Sequence, residues 1–141
     1  MKLSERKIIE WFLRIALSAG FLSAVADRFG LWKKGLSAWG NWDNYIAYTR
    51  TLIPFLPNSA VQFAGIVGTV LEIAFGIGLL TTYKTSIIAI GSGILLLLFA
   101  LAMTFSYSIK APFDASVFSA SAGAFALSAL LSKKPKQPEK I

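Results

Sequence analysis

TSIIAIGSGILLLLFALAMTFSY, residues 85–107, runs for 23 positions without a charged side chain. About 20 helical residues cross the hydrocarbon core of a bilayer, so this stretch reads as a membrane-spanning helix. Upstream, residues 59–82 form a second apolar run, separated from it only by Tyr83-Lys84. So short a turn forces the two runs into an antiparallel hairpin. Downstream, residues 115–132 form a weaker run of alanines and serines after a turn holding Pro112. At the other end, residues of about 8–28 are apolar apart from Glu10, Arg14, Asp27 and Arg28. The basic start resembles a signal peptide, but Arg14 interrupts the run and no small-residue cleavage site follows, so a retained helix is expected. The expectation is therefore all-α: an integral membrane four-helix bundle, one domain over residues 1–132. Residues 133–141 are rich in Lys and Pro and are expected to be a disordered basic tail.

Composition agrees. Of 141 residues 55% are hydrophobic and 15% charged, with mean hydropathy +0.63. A soluble domain has nearer a quarter charged residues, so a large soluble domain is excluded. Cysteine and histidine are both absent. Disulfides, thiolate chemistry, Fe–S clusters, Cys-based zinc sites and the usual haem and metal ligands go with them. No metal site and no covalently held cofactor is expected. The net charge of +7 reads as topology signal and attraction to anionic lipid rather than nucleic-acid binding. Of the 14 Lys and Arg, eight fall on the N-tail, Lys84 and the C-tail, and five on the opposite side (Arg28, Lys33, Lys34, Arg50, Lys110). The excess predicts a multi-pass plasma-membrane or bacterial inner-membrane protein with both termini cytoplasmic.

The long connection after the first span is rich in aromatics: Trp32, Trp39, Trp42, Tyr45 and Tyr48. Trp39, Trp42, Ile46, Thr49 and Ile53 recur at near-helical spacing, Asn41 suits an N-cap, and Pro54 and Pro57 end the pattern. An interfacial amphipathic helix within residues 36–54 is expected, lying over the outer mouth of the bundle.

Charges inside a bilayer demand partners. Arg14 lies about 9 Å into the first helix, and Glu10, Ser18 and Arg28 share its face. Glu72 sits near the middle of the second span on a face with Gly65, Gly68 and Gly76. An ionised carboxylate there must be paired or protonated, and Arg14 is the expected partner. Asp27 is expected to tie down the loop, through Lys33, Lys34 or Arg50. Ser116 and Ser119, at the outer start of the last helix, are candidate donors to a ligand oxygen.

Four stretches resemble one family. Arg14-Ile-Ala-Leu-Ser-Ala-Gly20 through Asp27-Arg28-Phe-Gly30-Leu-Trp32, then Trp39-Gly40-Asn41-Trp42, Gly68-Thr-Val-Leu-Glu72 and Ser116-Val-Phe-Ser-Ala-Ser-Ala-Gly123 are similar, in order and spacing, to DoxX-type membrane proteins. The resemblance spans residues of about 8–132. It implies a four-helix membrane bundle from a family linked to terminal quinol oxidase, thiosulfate:quinone oxidoreduction and membrane-bound oxidoreductase complexes. Carried over, the residues of interest are Arg14, Asp27, Arg28, Trp39, Trp42, Glu72 and Ser119. The lack of cysteine argues against a thiol-exchange role, and family likeness alone assigns no catalysis.

The leading expectation is a membrane subunit of an oxidoreductase system that binds a quinone or similar lipid-soluble ligand between its helices. The ligand-binding residues would be Arg14, Arg28, Asp27, Trp39, Trp42, Glu72, Ser116 and Ser119, around a cavity beneath the Trp39/Trp42 loop. The implied partners are the lipid bilayer and an oxidoreductase partner subunit or a second copy of the chain. The alternatives are a non-catalytic scaffold or assembly subunit and a small-solute or proton carrier.

Overall fold

The computed structural model describes residues 1–132, and these are all-helical, with no strand among them. The expected disordered tail, 133–141, lies outside the described residues. Helices α1 (Leu3–Arg28), α3 (Asn58–Gly78) and α4 (Thr85–Ser106) are each long and apolar enough to cross a membrane. Helix α6 (Val117–Ser132) is apolar but has 16 described residues, about 24 Å at 1.5 Å per residue. Two shorter helices join them, α2 (Trp42–Leu52) and α5 (Lys110–Asp114).

The apolar faces meet in one core of Leu17 and Phe21 from α1, Leu79 at the end of α3, Ala89 and Leu95 from α4, and Ala124 and Leu127 from α6. Hydroxyls fix the register where these helices touch. Ser18 donates to the carbonyl of Gly76 at 2.5 Å and, further along, Arg28 donates to Thr69 Oγ1 at 2.7 Å, so α1 and α3 run antiparallel. Ser121 donates to Gly93 O at 2.7 Å, and Ser86 meets Ser128 at 3.1 Å, setting α4 antiparallel to α6. Each serine spends its hydroxyl on a carbonyl or another serine, so it crosses the apolar core without an unmet donor.

Helix α1 begins at Leu3, five residues before the apolar run, because Glu5 reaches back to accept from the Lys2 N–H at 3.1 Å. Helix α3 stops at Gly78, short of the expected 82. Two glycines in its last turn weaken the helix, and Arg14 takes the carbonyls of Leu79 and Thr81 as the chain turns away. The connection to α4 is thus six residues, 79–84, rather than the expected two. Helix α5 occupies what the sequence suggested was plain turn.

Helix α2 forms within the expected window. Asn41 caps it, accepting from Asn44 N at 2.8 Å. A second small core holds it: Tyr45, Ile46 and Val61, with Trp39, Trp42 and Ile53 packed against them. Gly65 makes that seat, since a Cβ there would lie 2.5 Å from Ile46 Cδ1. Helix α2 therefore lies across the loop end of α3, over the last turn of α1.

Candidate functional site

The two buried arginines of α1, Arg14 and Arg28, stand at opposite ends of the core and do different work. Arg14, 3% exposed, is consumed at the end that bears the chain's first residue. Its Nε donates to Leu79 O at 2.7 Å, one Nη donates to Thr81 O and to Thr85 Oγ1 at 3.1 Å, and the other pairs with Glu10 at 2.9 Å. The Trp11 ring covers the guanidinium at 4.3 Å. The last carbonyls of a helix have no intrahelical donor, and in lipid each unmet group costs several kcal/mol. The last carbonyls of α3 are met by Ser18 and by the N–H groups of residues 79–81. Arg14 takes the next ones, Leu79 O and Thr81 O, and places a positive charge at the end of the helix, where it is favoured.

Glu72 pairs with Arg28, not with Arg14; this corrects the expectation from sequence. Helical side chains lean toward their own N-terminus. The Ser18–Gly76 hydrogen bond sets Glu72 level with Leu22 in the antiparallel pair. Arg14 is then eight residues away, about 12 Å, and it and Glu72 lean apart. Arg28 is six residues away on the other side, about 9 Å, and the two side chains lean toward each other. Counting depth alone misses this directionality.

Arg28 and Glu72 are each 3% exposed. Arg28 also donates to Thr69 Oγ1 at 2.7 Å, and Thr69 in turn donates to Gly65 O at 2.8 Å. The guanidinium lies 3.8 Å from the centre of the Tyr45 ring and 5.5 Å from that of Trp39, within the range of cation–π attraction. One buried donor of this group, Arg28 Nε, makes no hydrogen bond, while Glu72 Oε2 is held directly by Nη1 of the same guanidinium.

Asp27 does tie the loop, but not through lysines. It accepts from Ser37 Oγ, from Ala38 N at 2.7 Å, from Gly40 N at 3.0 Å and from Trp39 N at 3.4 Å. Gly40 meets this carboxylate with φ +81°, a backbone region that glycine adopts without a steric penalty. Backbone N–H groups outcompete the lysines because they are already on the loop and lose no side-chain freedom. Asp27 thereby places Trp39, and through it the roof over its neighbour Arg28.

Of the other expected residues, Trp42 is one ring removed, packed on Phe29 at 6.0 Å and on Tyr45 at 5.3 Å. Ser116 and Ser119 are exposed and do not join the site. The buried face of α6 is Ser121, Ala124, Leu127 and Ser128; Ser119 is two positions from Ser121, about 200° around the helix. A cavity of about 380 Å³ lies in the loop itself, and neither Arg28, Glu72, Ser116 nor Ser119 lines it. The structure thus brings together Asp27, Arg28, Trp39 and Glu72, keeps Trp42 in support, and leaves Arg14, Ser116 and Ser119 elsewhere. It adds Tyr45 and Thr69. Both were within reach of sequence: Tyr45 stands next to Ile46 in the buried stripe of α2, and Thr69 one turn before Glu72.

No protein-family model, curated protein or solved structure matches this chain.

Proposed function

We propose that this chain is a DoxX-like, four-span plasma-membrane or bacterial inner-membrane protein with both termini cytoplasmic, α6 being the fourth span and α2 an interfacial lid. It serves an oxidoreductase system by holding a quinone or similar lipid-soluble ring against Arg28 and Glu72. The observation that carries this reading is a buried donor without a hydrogen bond, Arg28 Nε, beneath the rings of Tyr45 and Trp39 and beside the Glu72 carboxylate that Arg28 holds. A buried donor left unmet costs about 1–3 kcal/mol, and a ring oxygen would relieve it. The donor set therefore fits a quinone head group.

In this reading Arg28 Nε donates to the ring oxygen, and Tyr45 and Trp39 offer aromatic surface for stacking. The Glu72 carboxylate takes up or releases the proton, a task for which the chain has no histidine. Asp27, with its oxygens committed to the loop, takes no part in proton transfer. A bound quinone would supply the two-electron carrier chemistry, with the partner subunit supplying or receiving the electrons.

A second reading, a non-catalytic scaffold subunit, draws on Arg14, whose donors all serve contacts within the chain. Titration of a short-chain quinone analogue into the purified protein separates the two. Arg28→Lys and Trp39→Ala should each weaken binding at least about tenfold, the loss of a charge-assisted hydrogen bond or an aromatic wall. Ser116→Ala and Ser119→Ala should leave it unchanged. Equal affinity in all four variants, with helicity intact, would favour the scaffold.

A further inference from the structure

The loop between α1 and α2 carries a second feature with a chemistry of its own. An open depression of about 380 Å³ is lined by Trp32, Lys34, Ser37, Trp39, Asn41 and Asn44, with glycine backbone completing it. That volume is within the range of small-molecule sites, about 300–1,000 Å³. No carboxylate side chain lines it. Lys34 is exposed and makes no ion pair or hydrogen bond with any described residue. Asp27, behind the wall, has its oxygens taken by Ser37 and three backbone N–H groups. Asn41 spends its carbonyl oxygen on the cap of α2, which leaves its amide N–H groups as donors. The depression therefore offers a free ammonium and an amide donor between indole walls.

Its setting is apolar. Phe29, Leu31 and Leu36 on the same loop are 58%, 76% and 71% exposed, and the loop closes one end of helices long and apolar enough to cross a membrane. Exposed apolar side chains interleaved with Trp and Lys are what the boundary between acyl chains and head groups selects. Loose phosphate in solution would not require the exposed leucines; a lipid would.

We propose that this depression seats the phosphate-bearing head group of an anionic membrane phospholipid. Lys34 and the Asn41 amide donate to the phosphate oxygens, Trp32 and Trp39 wall the glycerol, and the acyl chains leave past Leu31 and Leu36. Only Trp39 is shared with the Arg28 site, so either ligand can fail without the other, while both rest on the proposed membrane placement of the helices.

The test uses the full chain in detergent, titrated with phosphatidylglycerol and followed by native mass spectrometry. A retained lipid is expected, with affinity falling about tenfold in Lys34→Ala, the loss of one charge-assisted hydrogen bond, and recovering in Lys34→Arg. Lys84→Ala, at the other end of the molecule, should bind as the parent does. Lys34 and Lys84 are both exposed, so circular dichroism should show all three variants folded. Unchanged affinity in Lys34→Ala, or an equal loss in Lys84→Ala, would overturn the seat. Displacement of the lipid by an equal concentration of inorganic phosphate would overturn the lipid as its occupant.

Discussion

Arg28 and Glu72 hold opposite charges in a place where neither is tolerated alone. Removing one partner of a buried pair costs about 3–5 kcal/mol, because the survivor stays buried and uncompensated. Glu72→Gln should therefore destabilise strongly. The double variant Arg28→Met with Glu72→Gln should recover part of that loss, since no charge remains to strand. Detergent-resistant helicity against temperature, measured for the two singles and the double, gives the coupling; simple addition of the single costs would show that the pair is not a unit. That both residues belonged to one polar system was legible in the sequence, because a charge in an apolar run must find a partner. Which partner was not, since sequence spacing gives depth but the lean of each side chain toward its own N-terminus depends on which helix runs beside it. Likewise the need to anchor Asp27 could be read, whereas its anchors, the N–H groups of residues 38–40, carry no residue signature at all.

At the scale of elements, helix positions were the most readable feature and helix ends the least. The buried stripe and Asn41 marked α2 directly. The end of α3 was hidden because Arg14, 65 positions earlier than Leu79, replaces the donors that would have continued the helix. Helix α2 is held at both edges, by Ile46 over Gly65 and by Tyr48, which stacks on Tyr107 just past α4 with ring centres 6.4 Å apart. Tyr107 in turn shares a 2.6 Å hydrogen bond with Thr51. Burial, with Tyr107 beside it, pushes the Tyr48 phenol above its ordinary value of 10.0. A raised native pKa means that the folded state holds this proton more tightly than the unfolded chain. The stability this confers is complete below pH 10.0 and is lost as the pH rises through the native phenol's value. Alkaline titration followed by circular dichroism should show the parent weakening in that window. Tyr48→Phe should lose part of that slope.

At the scale of the whole molecule, the number of crossings is a parity question. If α6 crosses as the fourth span, the two ends of the described chain lie on the same side. Cysteines placed singly at Lys2 and Ser132, both exposed, should then react with a membrane-impermeant label only after the cells are opened, and one at Lys34 should react in intact cells. Labelling of Lys2→Cys and Ser132→Cys from opposite sides would fit three crossings. The arginines of α1 carry a further consequence, for the order in which the protein is made. Arg6 reaches Leu130 O, Arg14 reaches Leu79, Thr81 and Thr85, and Arg28 reaches Thr69 and Glu72. Every one of these acceptors is synthesised after the helix that needs it; only Glu10, which also pairs with Arg14, lies on α1 itself. While the ribosome is still translating the loop, α1 would hold buried cations in lipid with most of their partners not yet built. If α1 crosses a membrane, a nascent chain cut before α3 should therefore fail to stay inserted, and the helix is held there only once α3 has been synthesised.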